Sequence, residues 1–219
     1  VWEALQSTFH VMLGLLMALV LRRKPKGWKF VRTAYMIPNI IPTAATGVMF
    51  TLLLNPSFGI LKSMYGVFGL DMSKIPNLFG NSKFAFWTVT CTWIFYSAFN
   101  TIIFLAEMGA IDTSIYEAAR VDGANGVQVF RYITVPQLKP TIIFSMIYAT
   151  ITYLRSFALV EILTEGGPYR STETIIMYMF KQGFQSRNVG YASVIAVVVF
   201  LITLVISLIQ MKLTKYYDD

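Results

Sequence analysis

The fold class predicted by this sequence is an all-helical integral membrane protein, and three observations predict it. Apolar residues make up 56% of the 219 residues, charged residues only 13%, and the mean hydropathy is +0.60; a soluble domain carries about twice that charge. Five continuous apolar stretches, at about 4–21, 33–54, 84–105, 140–160 and 190–210, have the length of roughly 20 residues that a hydrocarbon core requires. Four of them contain no charged residue, and the fifth contains only Arg155. Thirdly, the basic residues are unevenly distributed. Arg22, Arg23, Lys24, Lys26, Lys29 and Arg32 crowd the loop after the first stretch, Arg120, Arg131 and Lys139 follow the third, and Lys212 and Lys215 follow the last. Lys62, Lys74, Lys83, Arg170, Lys181 and Arg187 are spread over the opposite loops. This bias puts 22–32, 106–139 and the C-terminus in the cytoplasm.

Lipid offers the backbone no hydrogen-bond partner, so each stretch must be a helix. A closed barrel would need alternating segments of about ten residues, which these runs are not. The net charge of +7 is therefore mostly a matter of topology rather than a nucleic-acid surface, and 22–32 can also touch anionic lipid. The chain begins with Val1 and its first span runs from outside to inside. One earlier span entering from the cytoplasm is expected, giving six in a full chain; a cleaved signal peptide is the alternative.

In chain order, Pro38 and Pro42 near the entry of 33–54 predict a kink or an irregular start. The loop 55–83 opens with Asn55-Pro56-Ser57 and is expected outside, with a short helix near 59–67. In 106–139, Asp112, Thr113 and Ser114 can each cap a helix, and Ser114 with Glu117 fits a capping box. Gly123 suits its C-terminal stop, and a second short helix is expected over 125–133. Pro136 and Pro140 then lead into the next span, so two short helices make an elbow at the membrane surface. Gly166-Gly167-Pro168 ends the fourth span, and Ile176, Met179, Phe180 and Phe184 predict an amphipathic helix over 173–185 at the outer surface. Trp28, Tyr216 and Tyr217 are expected as interface anchors.

A polar loop of about thirty residues between two spans needs a reason to be so organised. Its central motif is Glu117-Ala118-Ala119-Arg120-Val121-Asp122-Gly123-Ala124, followed by Ile133-Thr134-Val135-Pro136. With Arg32-Thr33-Ala34-Tyr35-Met36-Ile37-Pro38, Leu163-Thr164-Glu165-Gly166-Gly167-Pro168 and Gly190-Tyr191-Ala192-Ser193, it resembles the permease subunits of carbohydrate-type, binding-protein-dependent ABC importers, the maltose and glycerol-phosphate permease family. The resemblance covers essentially the whole chain. Val135 stands where the family usually has Leu, and Asp112-Thr113 where it has Ile or Leu followed by Pro.

The resemblance implies a single transmembrane domain over 1–219 that forms half of a translocation pathway for a sugar or oligosaccharide. It implies a cytoplasmic coupling helix at Glu117, Ala118, Ala119, Asp122 and Gly123. The implied partners are a second permease, an ATP-binding cassette ATPase dimer, an extracytoplasmic solute-binding protein, the sugar and membrane lipid. The small Ala118 and Ala119 would allow close approach, Glu117 would support the helix N-terminus or meet a basic partner residue, and Asp122 and Gly123 would close the helix.

No phosphate-binding Gly-x-x-x-x-Gly-Lys-Ser/Thr occurs, so ATP hydrolysis is expected in a separate subunit. No cofactor or metal is expected: one cysteine, Cys91, and one histidine, His10, are too few for such a site. His10 reads as a helix-contact or pore residue, and Glu161 with Glu165 as an outer-rim pair. For the substrate pathway, Arg155 is the intramembrane charge that needs a cavity, water or a partner; snorkelling to the surface is the alternative. Helical spacing places Thr152, Arg155 and Leu159 on one stripe, with Tyr148 a turn earlier. Trp93, Tyr96 and Asn100 form a second stripe, suited to stacking on sugar faces and bonding hydroxyls, or else to helix packing.

Other readings are an ABC permease for glycerol phosphate or an amino acid, which Arg155 leaves open, and an ion-coupled secondary transporter. The latter would normally show an inverted repeat or mid-membrane carboxylates. A membrane enzyme would need clustered His, Cys or carboxylates within a span.

Overall fold

The structure is a computed structural model and describes residues 2–215; Tyr216 and Tyr217 lie outside the described residues. It is helical, with no strand among those residues. Helix α1 (Trp2–Arg22) ends at a turn in which Lys24 (φ 49°) and Gly27 (φ 81°) take left-handed conformations. Then come α2 (Trp28–Ile40), α3 (Thr43–Leu53), α4 (Ile60–Val67), α5 (Ser82–Thr92) and, after a tight 3-10 turn at Trp93–Tyr96, α6 (Ser97–Ala110). The middle of the chain holds α7 (Thr113–Val121), α8 (Gly126–Val129), a widened π-helical stretch at Phe130–Thr134 and α9 (Val135–Gln137). The remainder is α10 (Lys139–Leu154), α11 (Ala158–Thr164), α12 (Ile175–Phe180) with a π-helical extension to Gln185, and α13 (Val189–Lys215).

By length and composition, Ala4–Arg22, Ser82–Ala110 and Val189–Lys212 can each cross a membrane. The other two expected spans are broken. The stretch 33–54 is divided between α2 and α3, and 140–160 between α10 and α11, so the count reaches five only if each bent pair is one span. At the first break Pro42 bars Ile41 from the helical region, and Pro38 inside α2 has already withdrawn one donor. At the second, Arg155 to Phe157 leave the helix, and Phe157 takes φ −134°, ψ −64°. The Ser156 carbonyl, freed from the helical ladder, accepts instead from Thr174 Oγ1 at 2.9 Å.

The described residues form two compact units. In one, built from 2–37, 95–151 and 204–215, α1 lies along α6 in the same direction. Gly14 abuts Asn100 and Ser97, while Val11 and Ala18 share a core with Phe104, Met108 and Leu138. In this unit Gln210 Nε2 of α13 also donates to the buried Thr150 Oγ1 of α10 at 3.0 Å.

In the other unit, 38–94 and 152–203, α11 packs on α3. Gly47 permits the approach, since a Cβ there would stand 2.9 Å from Ile162 Cγ2. Along α13 the exposed side chains include Val194, Val197, Phe200, Leu201, Val205 and Leu208. Such a surface suits lipid rather than water.

Candidate functional site

The elbow between α6 and α10 is built from short helices capped at both ends. Asp112 caps α7, its carboxylate accepting from Ser114 N at 2.9 Å. That backbone bond, with a further one from the Ser114 hydroxyl, holds the Asp112 carboxyl below its ordinary range. The expected Ser114–Glu117 capping box does not form. With Asp112 at the cap, Ser114 is already the second helical residue, and Glu117 lies too far along to support the N-terminus.

At the other end Asp122 is the C-cap. Gly123 N donates to Arg120 O at 3.1 Å and Ala124 N to Ala119 O at 2.9 Å, the two bonds of a Schellman stop. Gly123 has φ +76°, yet a Cβ there would meet nothing within 4 Å. The requirement for glycine is therefore one of backbone conformation, not of space. Asn125 then starts α8 with a true capping box: it accepts from Val127 N and Gln128 N, and Gln128 Oε1 accepts from Asn125 N at 2.8 Å.

This elbow turns one small residue inward and several outward. Ala119 is buried, whereas Glu117, Ala118, Asp122 and Gly123 are exposed. Apolar side chains stand out beside them, Val121 at 88% exposure and Val127 and Tyr132 nearly as open.

Two residues not singled out from the sequence join this elbow to α1. The Arg22 guanidinium lies 4.4 Å from the centre of the Tyr116 ring, and its Nη1 donates to the Tyr116 hydroxyl at 3.0 Å. Tyr116 Oη is in turn 3.3 Å from Thr134 Oγ1. The available signal was an aromatic residue, Tyr116, directly before Glu117. In the sequence Arg22 is one basic charge among six in its loop.

The residues proposed for the substrate pathway do not form two helical stripes. The 3-10 turn at Trp93–Tyr96 changes the residue angle, so the spacing of Trp93, Tyr96 and Asn100 no longer defines one face. Trp93 is buried, its ring 5.5 Å from that of Tyr153. Asn100 is buried against Gly14, and neither its Oδ1 nor the Tyr96 hydroxyl has a hydrogen-bond partner among the described residues. The second stripe is cut by the break after Leu154: Thr152 is exposed in the last turn of α10, Arg155 is exposed in the turn, and Leu159 is buried in α11. Tyr148 packs on Phe99, ring centres 4.6 Å apart. Glu161 and Glu165 differ in their surroundings. Glu165 is the left-handed C-cap of α11, at φ 51°, while Glu161 Oε2 is enclosed without a partner among the described residues.

After α11 the Gly-Gly-Pro segment does end the helix, and a strapped loop follows. Gly166 has φ +82°, and a Cβ would stand 2.6 Å from Met177 Sδ. Thr172 Oγ1 donates to Gly167 O at 2.7 Å. Glu173 pairs with Arg170 and Lys181, and Lys181 Nζ also donates to Glu165 O at 3.0 Å. Burial pushes the Glu173 carboxyl up, but the bonds from Arg170 and Lys181 outweigh it and hold the group below its ordinary value of 4.5. The loop presents Tyr169 at 94% exposure. Among the described residues no group of three His, Cys, Asp or Glu side chains is placed to hold a metal.

Apolar helices long enough to cross a membrane, joined by a doubly capped polar elbow, define a helical membrane protein. A family model described as "Binding-protein-dependent transport system inner membrane component" matches residues 10–216, and the chain belongs to that family. It is 34% identical over 212 residues to the Bacillus subtilis protein named "Probable ABC transporter permease protein YurN", covering 92% of this chain and 70% of that one. It is 30% identical to the "Trehalose/maltose transport system permease protein MalF" of Thermococcus litoralis, covering 97% of this chain and 71% of that one. Among solved structures, a chain of a bacterial alginate ABC transporter in complex with an alginate pentasaccharide-bound periplasmic protein superposes with a TM-score of 0.85 at 25% identity. That match covers 95% of this chain and 73% of the other.

Proposed function

We propose that this chain is the permease subunit of an ABC importer for a sugar or oligosaccharide and forms half of its translocation pathway as one transmembrane domain over 1–219. The observation that carries the reading is the elbow: α7 is stopped by Gly123, α8 is started by Asn125, and Glu117, Ala118 and Val121 face outward. Rigid caps at both ends let a push on α7 move the elbow as a body rather than fray it. Glu117, Ala118, Ala119, Asp122 and Gly123 form the coupling helix, on which an ATPase dimer docks from the cytoplasm. The sugar reading is supported by the named trehalose/maltose relative and the alginate transporter.

ATP hydrolysis belongs to the separate ATPase subunits, because this sequence carries no phosphate-binding loop. A second permease completes the pathway, and an extracytoplasmic binding protein delivers the sugar. The basic loops and the C-terminus lie in the cytoplasm, and the loop bearing Tyr169 lies outside.

The test uses the complete transporter in proteoliposomes. Gly123→Pro and Glu117→Lys are expected to abolish the stimulation of ATP hydrolysis by sugar-loaded binding protein, with the permease pair still inserted. Full stimulation in both variants overturns the docking role.

A further inference from the structure

We propose that Arg22, Tyr116 and Thr134 form a strut carrying motion of the docking elbow to α1, with Tyr116 as its positioning residue. The inference rests on the docking reading above and names how the docked helix moves a span.

Tyr116 is bonded from two sides. Arg22 can only donate, so the Tyr116 oxygen accepts from it at 3.0 Å. The Tyr116 oxygen also lies 3.3 Å from Thr134 Oγ1, a pair in which either hydroxyl can donate, and with Thr134 donating onward to the Val129 carbonyl at 3.4 Å the phenolic proton serves Thr134. Three elements are linked in this way: the last residue of α1, the middle of α7 and the π-helical stretch that follows α8.

The strut is enclosed as well as bonded. Thr134 is buried, Arg22 and Tyr116 are half-buried, and the guanidinium carbon lies over the ring, 4.4 Å from its centre. A planar guanidinium can stack and donate at once, which an ammonium cannot do in the same geometry. Arg22 also sits where the α1 carbonyls end, so its charge favours that position. Within α7 Ala119 is the buried residue, and a methyl group grips little. Tyr116 therefore supplies the directional attachment of α7 to α1.

The experiment uses the assembled transporter, permease pair plus ATPases, in nanodiscs. An environment-sensitive fluorophore is attached to α1 at Val20→Cys in a Cys91→Ser background, Val20 being exposed. The signal is the spectral shift on trapping with ATP and vanadate. Copurification of the ATPase subunits separates lost docking from lost transmission. Tyr116→Phe, which keeps the ring, and Thr134→Val, which keeps the shape, are expected to lose the shift while the ATPases stay bound. Thr134→Ser, which keeps the hydroxyl, should retain it. The double variant Tyr116→Phe/Thr134→Val should be no worse than either single change, because one relay is cut twice.

An unchanged shift in both Tyr116→Phe and Thr134→Val, with ATPases bound, overturns the strut. Gly123→Pro keeps that result distinct from failure of the docking reading: it should abolish the shift in either case, and an intact shift there overturns docking itself. If Tyr116→Phe fails to assemble, the contrast of Thr134→Val with Thr134→Ser decides, since Thr134 lies outside α7.

Discussion

Gly14 of α1 faces Asn100 of α6 so closely that a Cβ on Gly14 would lie 2.6 Å from Asn100 Cβ, and 3.2 Å from Ser97 O. Without a hydrophobic force between helices in lipid, such close approach is what van der Waals packing requires. Gly14→Ala should therefore destabilise the α1–α6 pair by about 1–3 kcal/mol through overpacking. Thermal unfolding in detergent measures the loss. Asn100→Gly in the same chain should restore part of it, the Ser97 carbonyl remaining as an obstacle; no destabilisation by Gly14→Ala would mean the helices are not held at this distance.

The bond from Gln210 to Thr150 joins two spans inside an apolar setting. Thr150→Val keeps the side-chain shape and removes the acceptor. Interhelical bonds of this kind average about 0.6 kcal/mol. A loss of that order is expected on titration with a denaturing detergent, and Thr150→Ser should recover most of it.

Glu173 predicts how the strapped loop responds to acid. Its carboxyl is held below 4.5 by Arg170 and Lys181 despite its burial. A group with a depressed folded value stabilises fully above its unfolded value and loses that contribution as pH falls through the folded one. The loop should therefore stay closed at neutral pH and loosen only as pH falls below the ordinary glutamate range. Proteolysis around Tyr169 as a function of pH reads this directly. Glu173→Gln should remove the acid step, and a step that persists in that variant assigns it to another group.

Arg155 occupies the break between α10 and α11 and is exposed there. An arginine at such a break can reach solute or headgroups without the cost of a charge facing hydrocarbon. If it contacts substrate, Arg155→Ala should reduce uptake or alter which sugars compete, with assembly intact. Arg155→Lys should recover part of the activity, keeping the charge but not the fork. Unchanged uptake and selectivity would leave it a surface residue.

Cysteine labelling in intact cells tests the orientation. In a Cys91→Ser background, cysteines replacing Lys24 and Asn125 should be shielded from an impermeant reagent, and those replacing Ser73 and Tyr169 should react. Tyr169 stands open to such a reagent. Outside labelling at residue 125 would reverse the topology and remove the docking role.

Much of the architecture was legible because a bilayer imposes few solutions. Apolar length dictated helices near 4–21, 84–105 and 190–210, which appear as Ala4–Arg22, Ser82–Ala110 and Val189–Lys212. Cap chemistry is local, so the stop at Gly123 and the helix end at Gly166-Gly167-Pro168 were readable from neighbouring residues. Local competition hid the rest of the capping. Asp112 and Ser114 could each cap α7, and only the folded backbone selected Asp112.

Sequence alone determined a helical membrane protein, the order of its apolar segments and a stiff polar elbow, since these follow from hydrophobic length and short-range hydrogen bonding. Tertiary structure decided what periodicity could not. The break at Arg155 to Phe157 has no proline to announce it; its Ser156 carbonyl is satisfied by Thr174, eighteen residues on. The 3-10 turn at Trp93–Tyr96 likewise dissolved a stripe that assumed uniform α-helical spacing. Tyr116 acquires its meaning from Arg22, ninety-four residues earlier. Such pairings depend on where distant backbone segments come to rest, and spacing along a chain carries no record of that.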